Sequence, residues 1–199
     1  TTTLYIFGPL VLMAILFFVL TFISLGTGYM PSEELLDSEG EELAEELEAL
    51  GVRLILGEGY LDSLTEDIIF RTPGMRFTQP ELEAARARGS AVTSEMEVFF
   101  DLCPCPIWAV TGSDGKTTTT TIVSELLKAA GNTVWVGGNI GHPLLCDADR
   151  MRPQDYAVLE LSSFQLMTMD RSPHIAVVTN LAPNHLDMHK DMAEYVAAK

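Results

Sequence analysis

Positive charge is what this chain has least of. Its 199 residues hold 12 Lys and Arg against 28 Asp and Glu, for a formal net charge of −16, and the first basic residue is Arg53. A general nucleic-acid binder needs a basic face to neutralise phosphates, so no nucleic-acid partner is expected and any phosphate site must be local. Cysteine is scarce too, with only Cys103, Cys105 and Cys146. An odd count with a Cys-Pro-Cys spacing offers neither a disulfide framework nor metal-ligand spacing, and reads as reduced thiols in a cytoplasmic compartment. Gly-x-Ser-x-Gly is missing as well. Ser162 and Ser163 therefore do not read as hydrolase nucleophiles, even with His185 downstream as a base. There is no internal repeat and no low-complexity stretch.

What is present begins with apolar content. At 47% hydrophobic residues the chain can bury a sizeable core. Between Leu4 and Leu25 only Tyr5, Thr21 and Ser24 interrupt an uncharged apolar run, which at ~1.5 Å per residue spans roughly 33 Å as a helix. Membrane contact through this segment is one expectation. The other is that the segment is foreign to the remainder, which reads as soluble. A cleaved signal peptide fits poorly without a basic n-region, and the missing Lys and Arg leave no orientation signal.

Residues 31–48 are acidic, with Leu43, Leu47 and Leu50 as the apolar stripe of a helix that Gly51 ends. Short strands are expected at 52–56 and 67–71, then a turn at Thr72-Pro73-Gly74. A helix over 80–88 opens on Pro80 and stops at Gly89, followed by a strand at 90–93 and a helix at 94–102. This alternation describes a small α/β unit. Pro104 and Pro106 then break the pattern, which places a domain boundary at 106.

The run from Ile107 to Thr121 is the most informative. Ile107 to Val110 reads as a buried parallel strand, and Gly112 and Gly115 let the backbone turn sharply and bring N–H groups to an anion. Thr111, Gly112, Ser113, Asp114 and Gly115 form the loop, Lys116 supplies a point charge for phosphates, and the Thr117 hydroxyl is placed to bind Mg²⁺. Thr118 continues into a helix in which Ile122, Val123, Leu126 and Leu127 recur at helical spacing before Gly131. Only Ser113 and Asp114 separate the two glycines, where the usual phosphate loop has four residues, so this is a shortened variant. Further strands are expected at 133–136, 156–159 and 175–179, with a polar loop at 180–189 and a helix at 192–199.

A phosphoryl-transfer site also needs an acid at the end of a neighbouring parallel strand, and Glu160 meets that need. His185, Asp187 and His189 hint at a transition-metal site but lack a clustered ligand from elsewhere. His142 and His174 each adjoin a proline and read as structural.

Five blocks together resemble the Mur ligases, the ATP-dependent amide-forming enzymes of peptidoglycan precursor synthesis: 110–118 (Val-Thr-Gly-Ser-Asp-Gly-Lys-Thr-Thr), 138–141 (Gly-Asn-Ile-Gly), 159–166 (Leu-Glu-Leu-Ser-Ser-Phe-Gln-Leu), 179–187 (Thr-Asn-Leu-Ala-Pro-Asn-His-Leu-Asp) and 195–199 (Tyr-Val-Ala-Ala-Lys). The likeness covers roughly residues 33–199, and its details favour the branch that adds D-glutamate to a UDP-linked muramoyl-alanine. It implies ATP and Mg²⁺ as cofactors and an acyl-phosphate route. Lys116 would hold phosphates and Thr117 one Mg²⁺, with Glu160 and His185 at a second metal. Asn139 and Ser162 would face the muramoyl substrate, and Thr72, Pro73 and Gly74 one side of the uridine pocket. Lys199 matches the family lysine that CO₂ converts to a carbamate, a metal-holding group.

The resemblance implies an α/β fold, with a partial N-terminal Rossmann-like unit (31–106) followed by the first part of a P-loop-type parallel-sheet ATPase domain (107–199); the apolar run adds an expected hydrophobic helix in 1–30, and the chain is expected to be monomeric. The family's amino-terminal glycine-rich turn is replaced by the apolar run, and the family's C-terminal domain is missing. The chain is accordingly expected to be a fragment with little activity of its own. Other Mur ligases, the folylpolyglutamate-type ligases and a membrane-tethered nucleotide-binding module without synthetase activity are the alternatives.

Overall fold

The structure, a computed structural model, describes residues 60–62, 64–184 and 189–199, together with Glu45 and Ala49. The apolar segment between Leu4 and Leu25, the strand expected at 52–56, and His185 and Asp187 lie outside the described residues. Glu45 and Ala49 are helical and exposed. Among the described residues, no helix is long and apolar enough to cross a membrane.

The chain divides into two compact units, one up to Thr93 and one from Ser94 to Lys199. In the first, β1 (Ile68–Phe70) and β2 (Ala91–Thr93) pair in parallel, with Ile69 opposite Val92, and α1 (Pro80–Arg88) connects them. Pro80 suits the first helical turn, where its missing N–H costs nothing, and Gly89 closes the helix in the left-handed conformation with φ 102°. Arg71, buried just past β1, donates from Nη1 to the carbonyls of Thr72 and Met75, both at 3.2 Å. It thereby pins the β-turn that Met75 N–H closes on the Thr72 carbonyl at 3.1 Å.

The second unit is built on a four-stranded, all-parallel sheet in the order β4-β5-β3-β6. Its strands are β3 (Ile107–Thr111), β4 (Val134–Gly138), β5 (Tyr156–Glu160) and β6 (Ile175–Val178). Ala157, Val158 and Leu159 of β5 are fully buried, and Ile107, Ala109 and Val110 of β3 nearly so. Strands covered on both faces read as continuous apolar runs rather than alternations, which is how these two appear in the sequence. Edge strand β6 leaves Ile175 and Val178 exposed.

Four helices complete the unit: α2 (Glu95–Leu102), α3 (Lys116–Ala129), α4 (Ser163–Leu166) and α5 (Met192–Ala198). Ser94 caps α2 by accepting the Glu97 N–H, as a short polar side chain does at a helix start. The buried face of α2, with Met96, Phe99 and Phe100, meets the short 3₁₀ turn Leu144–Asp147. Glu95 Oε1 accepts the N–H of Leu145 at 3.1 Å, and burial pushes the Glu95 carboxyl above its ordinary range.

Helix α3 lies on the sheet with only part of its apolar set turned inward. Thr120 and Ser124 are buried, whereas Ile122 and Leu126 are 54% and 65% exposed. The small side chains face inward, Val123 and Leu127 are half-buried, and Ile122 and Leu126 turn outward. The structure also adds elements that periodicity did not announce, α4 and the 3₁₀ turn, both too short to show a repeat.

Leu159→Ala should cost about 2–5 kcal/mol by leaving a cavity at the sheet centre. Leu126→Ala, on the outer face of α3, should stay within about 0.5 kcal/mol. Urea unfolding of the two variants checks this, and equal losses would contradict the assigned orientation of α3.

Candidate functional site

The C-terminal ends of the parallel strands form one rim. Val110 and Gly138 both pair with Glu160, and Thr111 pairs with Val178, so the segments leaving β3, β4, β5 and β6 emerge side by side. In open α/β sheets this is where ligands sit. Strand β3 is fixed at its start by His174, whose Nδ1 accepts the Ile107 N–H at 3.0 Å and whose own N–H donates to the Ile107 carbonyl at 2.9 Å.

The loop between β3 and α3 is clasped by the end of β6. Asn180 accepts the Asp114 N–H through Oδ1 at 3.0 Å and the Ser113 N–H through its carbonyl at 3.1 Å. Thr179 Oγ1 donates to the Asp114 carbonyl at 2.6 Å. This closeness is why Gly112, with φ 142°, has no room for a side chain: a Cβ there would overlap Thr179 Oγ1 and lie 3.1 Å from Asn180 N. Gly115 is the left-handed N-cap of α3 and brings no capping side chain. The first-turn N–H groups and the positive end of the helix dipole are therefore offered to a ligand.

Glu160, 2% exposed, sits where β5 ends. Its Oε2 accepts the Thr117 hydroxyl at 2.7 Å and its Oε1 the Asn139 amide at 2.9 Å. Asn139 reaches it because Gly138, with φ 92°, lets the backbone of β4 run against Glu160; a Cβ at Gly138 would overlap the Glu160 carbonyl oxygen. The Asn139 N–H donates to that same carbonyl at 2.8 Å. None of the ion pairs among the described residues involves Glu160. A buried carboxylate held by two neutral donors, one of them a hydroxyl, has the oxygen chemistry that a hard divalent cation takes, so Mg²⁺ fits this donor set.

Two ammonium groups share the loop. Lys116 Nζ donates to the carbonyls of Gly112 and Ser113, both at 3.0 Å. Lys199 Nζ, delivered by α5, donates to Thr111 Oγ1 at 2.9 Å and to the Gly112 carbonyl at 3.1 Å. Burial first, and the Lys116 charge second, draw the Lys199 amine down to about 8.

Helix α5 is anchored by a buried cluster. Tyr195, 1% exposed, meets Ser113 Oγ through its hydroxyl at 2.9 Å. His189 contacts Ser163 Oγ through Nε2 at 2.8 Å and stacks on Phe164 with centroids 5.3 Å apart. Its Nδ1 lies 3.4 Å from Glu194 Oε2.

The structure thus brings together Thr111, Gly112, Ser113, Asp114, Gly115, Lys116, Thr117, Asn139, Glu160 and Lys199, with Thr118 on the exposed first turn of α3. The Ser113 hydroxyl faces inward and is used by Tyr195 and by Ala182, whose carbonyl it meets at 2.7 Å. Ser162 caps α4 in a reciprocal box with Gln165. Thr72, Pro73 and Gly74 belong to the first unit, and His185 lies outside the described residues. Sequence reasoning gave no role to Thr179, Asn180, Tyr195 or Gly138. The available signal was positional: a Thr-Asn pair directly after a strand that the fold places beside the phosphate-loop strand.

Lys199 provides a pH test. Because its folded-state value lies below the ordinary one of 10.5, the folded state has released a proton that the unfolded chain still holds between about 8 and 10.5. Stability from this group rises with pH across that window, and below it the folded state carries the full penalty of a half-buried ammonium. Reductive methylation of Lys199 in the folded chain should show a midpoint near pH 8, and Lys116→Met should move it upward. A Lys199 midpoint at the ordinary lysine value would contradict the arrangement.

The chain is similar to known proteins over this unit. Residues 110–199 match the model of the Mur ligase middle domain. A UDP-N-acetylmuramoylalanine–D-glutamate ligase of Acetivibrio thermocellus is 60% identical over 156 residues, covering 78% of this chain and 34% of the relative. The enzyme of the same name from Clostridium botulinum strain Hall is 58% identical over 155 residues, covering 77% and 34%. The chain therefore spans about a third of the length of these relatives. Among solved structures, a UDP-N-acetylmuramate:L-alanyl-gamma-D-glutamyl-meso-diaminopimelate ligase from Neisseria meningitides aligns with a TM-score of 0.47 and 22% identity, over 78% of this chain and 54% of that one. The parallel-sheet unit that carries the phosphate loop is thus the part of this chain that is similar to the middle domain of the Mur ligases.

Proposed function

We propose that this chain carries the phosphate-handling part of an ATP-dependent ligase that joins D-glutamate to UDP-N-acetylmuramoyl-L-alanine. The observation that carries the reading is Glu160, buried at a strand end and held by the hydroxyl of Thr117 from the loop helix and the amide of Asn139. The substrates come from the names of the relatives, which are 58% and 60% identical to this chain over the matched segment.

In this proposal Thr117 and Glu160 hold Mg²⁺, which when bound neutralises charge on the phosphate oxygens. Lys116 exchanges its carbonyl partners on Gly112 and Ser113 for phosphate oxygens. The N–H groups of the first turn of α3 take the remaining phosphate charge. The γ-phosphoryl group passes to the terminal carboxylate of the UDP-linked substrate with loss of ADP. The D-glutamate amine then attacks the activated carbonyl carbon and inorganic phosphate leaves. Catalysis of this kind is positioning and charge stabilisation, which a rigid loop clasped by β6 supplies. Asn139, already fixed on Glu160, and Ser162 face the muramoyl substrate.

Lys199 extends the proposal. An amine drawn down to about 8 keeps a useful neutral fraction near pH 7, so its nitrogen can bond CO₂ and release a proton. The resulting carbamate anion beside Lys116 would replace a like-charge contact by an attractive one and give Mg²⁺ a further oxygen.

The test uses the intact enzyme. Phosphate release should require ATP, Mg²⁺, the UDP-linked muramoyl-alanine and D-glutamate together. Lys116→Ala should lower kcat by at least about 10²-fold, on the scale of losing one preorganised charge-stabilising donor. Retention of turnover by that variant, or release that ignores D-glutamate, would defeat the proposal.

A further inference from the structure

At the opposite end of β3 from the phosphate loop lies a sulfur cluster with no part in the site above. The length of β3, five residues, separates the two by about 13 Å at the rise of a strand. Cys103 ends α2, its N–H closing on the Phe99 carbonyl at 2.8 Å, and its backbone then turns extended with φ −63° and ψ 117°. In an extended run, residues two apart project to the same side. Cys103 Sγ accordingly lies 3.5 Å from Cys105 Sγ and 3.9 Å from Met151 Sδ. The two thiols differ in access: Cys105 is 2% exposed, whereas Cys103 is half-buried.

We propose that Cys103 and Cys105 form a hydroperoxide-oxidised dithiol, in which Cys103 attacks the oxidant and Cys105 resolves the product into a disulfide. The inference stands apart from the ligase reading, because it uses no residue of that site.

The accessible thiolate of Cys103 attacks one oxygen of a hydroperoxide; the O–O bond breaks, and the other oxygen leaves as an alcohol, or as water, after taking a proton. Cys103 is then a sulfenic acid. Cys105 loses its proton and attacks the Cys103 sulfur, the S–O bond breaks, and water leaves. In sum, two thiols and one hydroperoxide give a disulfide, an alcohol and water, with two electrons passing from sulfur to the peroxide. Burial keeps external thiols from Cys105, and the two sulfurs, 3.5 Å apart, have to close to a bond of about 2.0 Å. Electrostatics agrees with this order of events. The hydrogen bond from Cys105 draws the Cys103 thiol down to about 7, while the same contact and burial push Cys105 upward. A low, accessible thiol beside a resolving partner is the arrangement that redox-sensing cysteines share.

The test treats the reduced full chain with hydrogen peroxide and maps the products by mass. The peptide holding both cysteines should lose two hydrogens, recover them with dithiothreitol, and do so while Cys146 stays alkylatable. Cys105→Ala should halt at a sulfenic acid on Cys103 that dimedone traps, and Cys103→Ala should leave Cys105 unreacted. At pH 7, lowering the thiol from 9.0 to about 7 raises the thiolate fraction about 50-fold, and a Brønsted slope of ~0.45 returns about 8-fold of that. The folded chain should therefore react roughly 6-fold faster than the chain in urea. Sulfinic acid at Cys103 or sulfoxide at Met151 without the two-hydrogen loss would overturn the proposal, as would equal rates in urea.

Discussion

Everything at the rim of the sheet is arranged around the carboxylate of Glu160. It stands at the end of β5 with Val110 on one side and Gly138 on the other, so the strand that feeds the phosphate loop and the strand that feeds Asn139 both end level with it. A buried carboxylate costs free energy unless its oxygens are satisfied. Here one oxygen takes a hydroxyl from α3 and the other an amide from the β4 turn. Satisfying Glu160 therefore fixes the distance between the loop helix and the neighbouring turn. It also leaves the negative charge without a cationic partner among the described residues, the condition under which a bound divalent ion is favoured. Gly138 is part of the same constraint, since any side chain there would meet the Glu160 carbonyl.

The loop itself is held by polar contacts from β6 more than by its own sequence. With only two residues between Gly112 and Gly115 it has few internal hydrogen bonds to make, and Thr179 and Asn180 supply what is missing by bonding Ser113 and Asp114. Ser113, buried, passes the restraint on to Tyr195 and so to α5. One connected set of hydrogen bonds thus runs from the loop to the helix that bears Lys199. Networks of this kind rigidify a site when every member is satisfied. This end of the sheet is then preorganised before any ligand arrives.

Much of this was legible in the chain. The apolar runs of β3 and β5, Pro80 and Gly89 around α1, Ser94 before α2 and the glycine-lysine turn each encode their structure locally, and each element appears where the residues place it. Glu160 was legible too, because an acid at the end of an apolar strand has one place to point. What the pattern could not carry was the orientation of α3. Ile122 and Leu126 look like part of a core stripe, yet they turn outward while Thr120 and Ser124 face the sheet. The clasp by Thr179 and Asn180 was equally silent, because it depends on strand order, and sequence order puts β6 far from β3. Ser162 shows a third kind of limit: its capping role is local, but a four-residue helix is too short to give a periodic signal.

The pairing of Lys116 with Lys199 is the least comfortable feature of the site, and that discomfort is informative. Two ammonium groups within 3.1 Å of one carbonyl oxygen repel each other, and hydrogen bonds to the Gly112 carbonyl only partly offset this. A fold that needed only stability would place an apolar residue at one of the two positions. The network through Ser113 and Tyr195 instead holds α5 so that Lys199 stays at the loop. The strain is relieved by whatever brings negative charge between the two groups, so the arrangement favours an anion at the loop over an empty one. A polyanionic ligand gains twice there: from the helix N-terminus, and from the relief of a repulsion that the folded chain already carries.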